Sequence, residues 1–231
     1  MSTTSSIIVA LDFPSEKETL ELVDRLQPET CRLKVGKELF TRSGPSLVRK
    51  LVDRKFDVFL DLKYHDIPNT VARACEAASD LGVWMMNVHS LGGEKMMATA
   101  KEALVASGSP AKLIAVTWLT SSGQTELDAL GLNTTPEAMV SRLASMTANA
   151  GLDGVVCSAQ EASSLRQAHG DDFLLVTPGI RPAQASADDQ QRIVTPKQAM
   201  QNGSSYLVIG RPITKSADPC KTILTINSEI A

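Results

Sequence analysis

Cysteine pairs at metal or redox spacing are missing from this chain. Its four cysteines, Cys31, Cys75, Cys157 and Cys220, stand far apart, with no C-x-x-C and no Cys/His cluster. That pattern argues against a disulfide framework or a zinc knot, and for free thiols in a reducing compartment. Basic excess is missing too. There are 23 Lys and Arg against 26 Asp and Glu, a net charge of -3, and general nucleic-acid binding usually needs a basic patch. No apolar run approaches the ~18 residues of a membrane span. The opening MSTTSS has no basic stretch before IIVALDF, so no signal peptide is expected and a cytoplasmic location is. Neither a Walker A motif nor G-x-G-x-x-G occurs, which removes the main support for a nucleoside-triphosphate or dinucleotide site.

What is present is a repeat of short, β-rich apolar runs. They occupy 7–12, 31–36, 57–63, 84–90, 112–119, 154–159, 173–180 and 206–213. Most are apolar throughout rather than alternating, as parallel strands covered on both faces require. Helical signals fill the gaps. Ser15-x-x-Glu18 reads as a capping box, and Asn69 as the N-cap of a helix carrying Ala72, Cys75 and Ala78 on one face. Thr135-Pro136 and Thr195-Pro196 each pair a cap with proline at the first helical position, and Gly151 and Gly203 close those helices. Eight βα units over residues 1–231, with no linker between them, predict one α/β domain, a single (β/α)8 TIM barrel. A doubly wound open sheet is the alternative, but it would normally have fewer strands and a switch point.

In such a barrel the active site lies at the C-terminal strand ends. Six of those ends carry polar groups: Asp12, Lys34 with Lys37, Asp61 with Lys63, His89, Arg181 and Arg211. The densest stretch is DLKYHDIPNT (61–70), with Asp61, Lys63, His65 and Asp66 in six residues. Asp61 and Lys63 are two apart on a strand and so share a face. An ammonium between carboxylates is stabilised in its charged form and has a proton to give. Such an array, with Lys34 as a second cation, suits stabilising and protonating a carbanion better than nucleophilic attack. GIRP (179–182) and IGRP (209–212) end the last two strands, where barrels often grip phosphate, and each combines glycine with arginine. His89 reads equally as a hydrogen-bonded rim residue or a catalytic one. His65 would face away by strand alternation.

These blocks together resemble the orotidine 5′-monophosphate decarboxylases of the bacterial type. The likeness rests on VALD (9–12), RLKVGKELF (32–40), FLDLKYHDIPNT (59–70), NVH (87–89) and LTSS (119–122). It continues through DGVVCSAQE (153–161), VTPGIRP (176–182) and VIGRPIT (208–214). The resemblance implies decarboxylation of orotidine 5′-monophosphate to uridine 5′-monophosphate in de novo pyrimidine synthesis, with no metal and no cofactor. The family's charged tetrad falls on Lys34, Asp61, Lys63 and Asp66. Lys63 would donate the proton to C6, and Asp61 would lie by the departing carboxylate. Asp66 and Thr70 would serve the neighbouring subunit's site, which implies a homodimer.

Asp12 and Lys34 would meet the ribose hydroxyls, and Thr120, with Ser121 as an alternative, the pyrimidine edge. Gln190, Gly210 and Arg211 would hold the phosphate, with Arg181 nearby. The stretch PAQASADDQQR (182–192) resembles the family's mobile phosphate loop, and Gln190 is chosen over Gln191 by spacing. Two competing readings share the barrel. One is a metal-dependent sugar-phosphate decarboxylase or epimerase, whose acidic pair would hold magnesium. The other is a nucleotide-binding module without chemistry.

Overall fold

The computed structural model describes residues 5–181 and 194–230. Its strands are β1 (Ile7–Ala10), β2 (Arg32–Gly36), β3 (Val58–Tyr64), β4 (Met85–His89), β5 (Lys112–Val116), β6 (Gly154–Val156), β7 (Leu174–Thr177) and β8 (Tyr206–Ile209). All neighbouring pairs are parallel, and β8 returns to β1, so the sheet closes as a barrel in chain order. Seven strands fall inside the apolar runs, and β3 extends one residue past its run, to Tyr64. The helices between them are α1 (Glu16–Val23), α2 (Lys37–Asp53), α3 (Pro68–Ser79), α4 (Glu94–Ala106), α5 (Gln124–Ala129) and α6 (Pro136–Asn149). There follow α7 (Ala162–His169), α8 (Pro196–Gln201), α9 (Arg211–Thr214) and α10 (Pro219–Ile230).

Local chemistry explains several of the helix starts. Thr135 and Thr195 accept from the N–H groups of Ala138 and Gln198, each at 3.2 Å, with proline at the next position. Ser15 accepts from Glu18 N–H at 3.3 Å, while the Glu18 carboxylate bonds the Ser15 hydroxyl at 2.9 Å. The start of α3 differs from the sequence expectation. Pro68 takes the first helical position and Ile67 is the cap residue, without a side-chain bond, so Asn69 lies inside the helix. Proline's fixed φ suits the first turn, where its missing N–H costs nothing. The expected buried face of α3 is present, with Ala72, Cys75 and Ala78 joined by Val71.

Strand alternation divides the apolar residues into two layers. Ile7, Val9, Leu33, Val35, Val58, Leu60, Met86 and Val88 form part of the large core that also contains helix residues such as Leu39, Leu47 and Met97. The intervening positions, Ile8, Ala10, Phe59, Met85, Ile114, Val176 and Val208, cluster separately as the barrel's filling. One close approach requires glycine: a Cβ on Gly154 would stand 2.1 Å from the Leu174 carbonyl oxygen. At the strands' N-terminal end, the Arg32 guanidinium lies over the rings of Trp84 (4.4 Å) and Tyr206 (5.0 Å) and pairs with Asp57 at 3.2 Å. This cation–aromatic plug closes the bottom of the barrel.

Cys31, Cys75, Cys157 and Cys220 are free thiols, and burial pushes the first three up to about 12. No helix among the described residues is long and apolar enough to cross a membrane.

Candidate active site

The barrel's inward positions near the C-terminal ends carry charge instead of methyl groups. Lys34 lies between outward Leu33 and Val35 and is buried, its ammonium 3.3 Å from Asp12 Oδ1 and 3.4 Å from Asp61 Oδ2. Asp61 follows inward Phe59 by two residues, and its Oδ1 receives the Lys63 ammonium at 2.5 Å. Asp12, Lys34, Asp61 and Lys63 thus form a continuous chain of alternating charge across β1, β2 and β3.

The Asp61–Lys63 contact arises by another route than simple alternation. Between Leu60 and Tyr64, β3 advances four residues while β4 advances two, from Met86 to Val88. This bulge spans Asp61, Leu62 and Lys63. Lys63 takes φ +55°, a left-handed conformation that costs a non-glycine residue about 1–3 kcal/mol. Such strain persists only where surrounding bonds hold it. Here the Lys63 N–H donates to Asn87 Oδ1 at 2.8 Å, and Asn87 Nδ2 donates to Asp61 Oδ1 at 2.8 Å. No role for Asn87 was evident from the sequence alone. An inward polar residue between apolar Met86 and Val88 was the available signal.

Electrostatics follow from this packing. Burial pushes the Asp61 carboxyl up, but Lys34 and Lys63 more than offset it, helped by the bonds from Lys63 and Asn87. The group is held below the usual carboxylate value and stays ionised. His89 is pulled down to about 4 by burial, with His65, Lys37 and Lys63 acting in the same direction. Its Nδ1 accepts from Leu91 N–H at 3.4 Å. The His65 ring, expected to face away, stacks on His89 at 5.7 Å between centroids.

A cleft of about 150 Å³ opens beside the charged chain. Lys34, Asp61 and Lys63 line its polar side and Val116, Trp118 and Val208 are among its apolar walls. Thr120 also lines it, whereas Ser121 does not. Gly210 lies beside the first strand's end: a Cβ there would be 3.6 Å from Ala10 Cβ and 3.9 Å from Asp12 Oδ2. Arg211 follows at the start of α9. Arg181, expected near the phosphate, is buried after β7, where its N–H donates to the Val194 carbonyl at 3.1 Å.

Asp66 and Thr70 stand apart from the cleft walls and are exposed. The Asp66 carboxylate accepts from the Ile67 N–H at 2.6 Å within its own turn. Gln190 and Gln191 lie outside the described residues, as does the rest of 182–192.

Comparison with known proteins gives the chain's family. The chain is 60% identical to the orotidine 5′-phosphate decarboxylase of Nitrosococcus oceani over 227 residues, 98% of each chain. It is 59% identical to that of Nitrosospira multiformis over 224 residues, 97% of this chain and 93% of that one. The crystal structure of orotidine 5′-phosphate decarboxylase from Lactobacillus acidophilus superposes with a TM-score of 0.87 at 41% identity, covering 97% of this chain and 98% of that one. The family profile described as orotidine 5′-phosphate decarboxylase / HUMPS matches residues 5–226, and the chain belongs to that family.

Proposed function

We propose that this barrel rim converts orotidine 5′-monophosphate to uridine 5′-monophosphate and carbon dioxide, with Lys63 as the proton donor. The observation that carries the reading is the ionised Asp61 held between two lysines at the edge of the cleft. The C6–carboxylate bond breaks, its electron pair stays on C6, and carbon dioxide leaves. The Lys63 ammonium stabilises that charge and then transfers a proton to it, and solvent reprotonates the amine. A cation already in place needs little reorganisation, usually the largest catalytic contribution. Asp61 holds Lys63 and lies by the departing carboxylate.

Asp12 and Lys34 take the ribose hydroxyls, and Thr120 the pyrimidine edge. Gly210 and Arg211 hold the phosphate, with Arg181 supporting that end. Binding energy at this remote group helps organise the reacting centre.

Asp66 and Thr70 complete the site of a second copy, which makes the working unit a homodimer. Their exposure, beside an Ile67 side chain that is 67% exposed, supports that assignment. The free buried thiols suit a reducing cytoplasm.

A magnesium-dependent sugar-phosphate reaction fits less well. Asp61 commits one oxygen to Lys63 and Asn87 and the other to Lys34, so a divalent ion there would have to displace ammonium groups. The test is the loss of orotidine 5′-monophosphate absorbance on adding purified enzyme, with and without excess EDTA. Loss indifferent to EDTA is expected. No loss, or loss abolished by EDTA, would overturn the reading.

A further inference from the structure

We propose that Asn87 is a positioning residue that aims Lys63 at the reacting carbon. It deepens the function proposed above and rests on Lys63 being the proton donor. Asn87 occupies an inward position of β4, is fully buried, and is not on the cleft wall. A buried primary amide must satisfy both its ends. Here both ends are spent on the two residues of the reacting pair, each at 2.8 Å.

The amide's orientation is not open to exchange. A backbone N–H only donates, so the amide oxygen must face Lys63 and the NH2 group must face Asp61.

The bulge explains why a side chain is needed there. Because β3 gains two residues on β4, the regular ladder is interrupted at Lys63. Asn87 bridges the gap and supplies the acceptor. That bond holds Lys63 at φ +55°, and the conformation directs its ammonium to Asp61. The second bond orients the Asp61 carboxylate, leaving Oδ1 towards Lys63 and Oδ2 towards Lys34. Losing Asn87 releases Lys63 towards ordinary backbone angles. An ångström-scale displacement of a reacting group costs about 100-fold in rate.

Two variants test this. Asn87→Ala removes both bonds, and Asn87→Asp keeps the shape and the acceptor for Lys63 N–H but turns an oxygen towards Asp61. The charged and titratable groups near this position are Lys34 from β2, Asp61 and Lys63 from β3, and His89, two residues on along β4 and on the same face; on β5 it registers with apolar Ile114. Two adjacent carboxylates cannot both ionise easily, so one takes up a proton at higher pH than usual. The introduced carboxyl, once protonated, would donate to Asp61 as the amide does.

For Asn87→Ala, kcat should fall about 100-fold, with KM for orotidine 5′-monophosphate and Kd for uridine 5′-monophosphate within about threefold. Asn87→Asp should recover at least about tenfold of its activity, relative to the parent enzyme, as pH falls from 8 to 5.5. A merely structural role would weaken product binding in parallel with kcat and give a ratio independent of pH. Folded Asn87→Ala within threefold of the parent kcat would overturn the inference, as would weakened product binding matching the lost kcat. Should that variant not fold, a pH-independent Asn87→Asp ratio overturns it alone. Parent enzyme inert towards the substrate, or an active Lys63→Ala, would instead remove the underlying function or the Lys63 role, and this inference with it.

Discussion

Replacing Lys63 by alanine separates catalysis from stability. The ammonium would stand about 3 Å from C6 in a productive pose. At that distance and an effective dielectric near 20, its attraction to a carbanion is about 5.5 kcal/mol. At about 1.4 kcal/mol per decade, its loss lowers turnover roughly 10⁴-fold. Losing the proton donor can only add to that. Stability should change little. Asp61 keeps Lys34 at 3.4 Å and the Asn87 amide at 2.8 Å, so it is not stranded as a bare buried charge. Alanine inherits the left-handed backbone, and the lost Lys63 contact is partly exposed. A change within about 1 kcal/mol follows, or a Tm shift of about 2–4 °C for a chain of this size. The assay pairs substrate absorbance under single-turnover conditions with thermal unfolding by circular dichroism. A cooperatively folded Lys63→Ala enzyme within tenfold of the parent kcat would refute both the proton-donor role and the electrostatic reasoning.

Arg211→Ala should raise KM for the nucleotide by about 10–100-fold, the worth of one charge-assisted phosphate contact, while turnover of the phosphate-free nucleoside stays within threefold. Equal effects on both would place Arg211 elsewhere. Mixing Lys63→Ala and Asp66→Asn subunits should restore activity that neither homodimer has, because one of the two sites in a mixed dimer is intact. No restoration after verified subunit exchange would show that Asp66 serves its own chain.

His89 gives a pH signature for stability. Its folded value near 4 lies below the ordinary 6.5, so the unfolded chain binds the proton more readily. Its neutral state is without cost above pH 6.5, and stability is lost as pH falls through 6.5 towards 4. After allowance for partial exposure, about 1 kcal/mol should disappear between pH 7 and 5. Urea midpoints for the parent and His89→Gln should diverge in their pH dependence by that amount; parallel curves would show that His89 titrates normally.

Eight apolar runs with caps between them were enough to read the barrel, because parallel strands covered on both sides need uninterrupted β-rich segments. The same pattern identified the strand ends at which Asp12, Lys34, Asp61 and Lys63 meet.

Three features lay beyond it. The start of α3 shifted because Pro68, rather than Asn69, is the residue whose backbone suits a first turn. The contact between Asp61 and Lys63 was expected from alternation but is made by a bulge, which depends on how β3 registers against β4. Asn87 acquired its place only when strands distant in sequence came together. Local propensity is written residue by residue and can be read from the chain. A bulge, a left-handed lysine and the amide that holds it are properties of two strands at once, settled only by tertiary pairing.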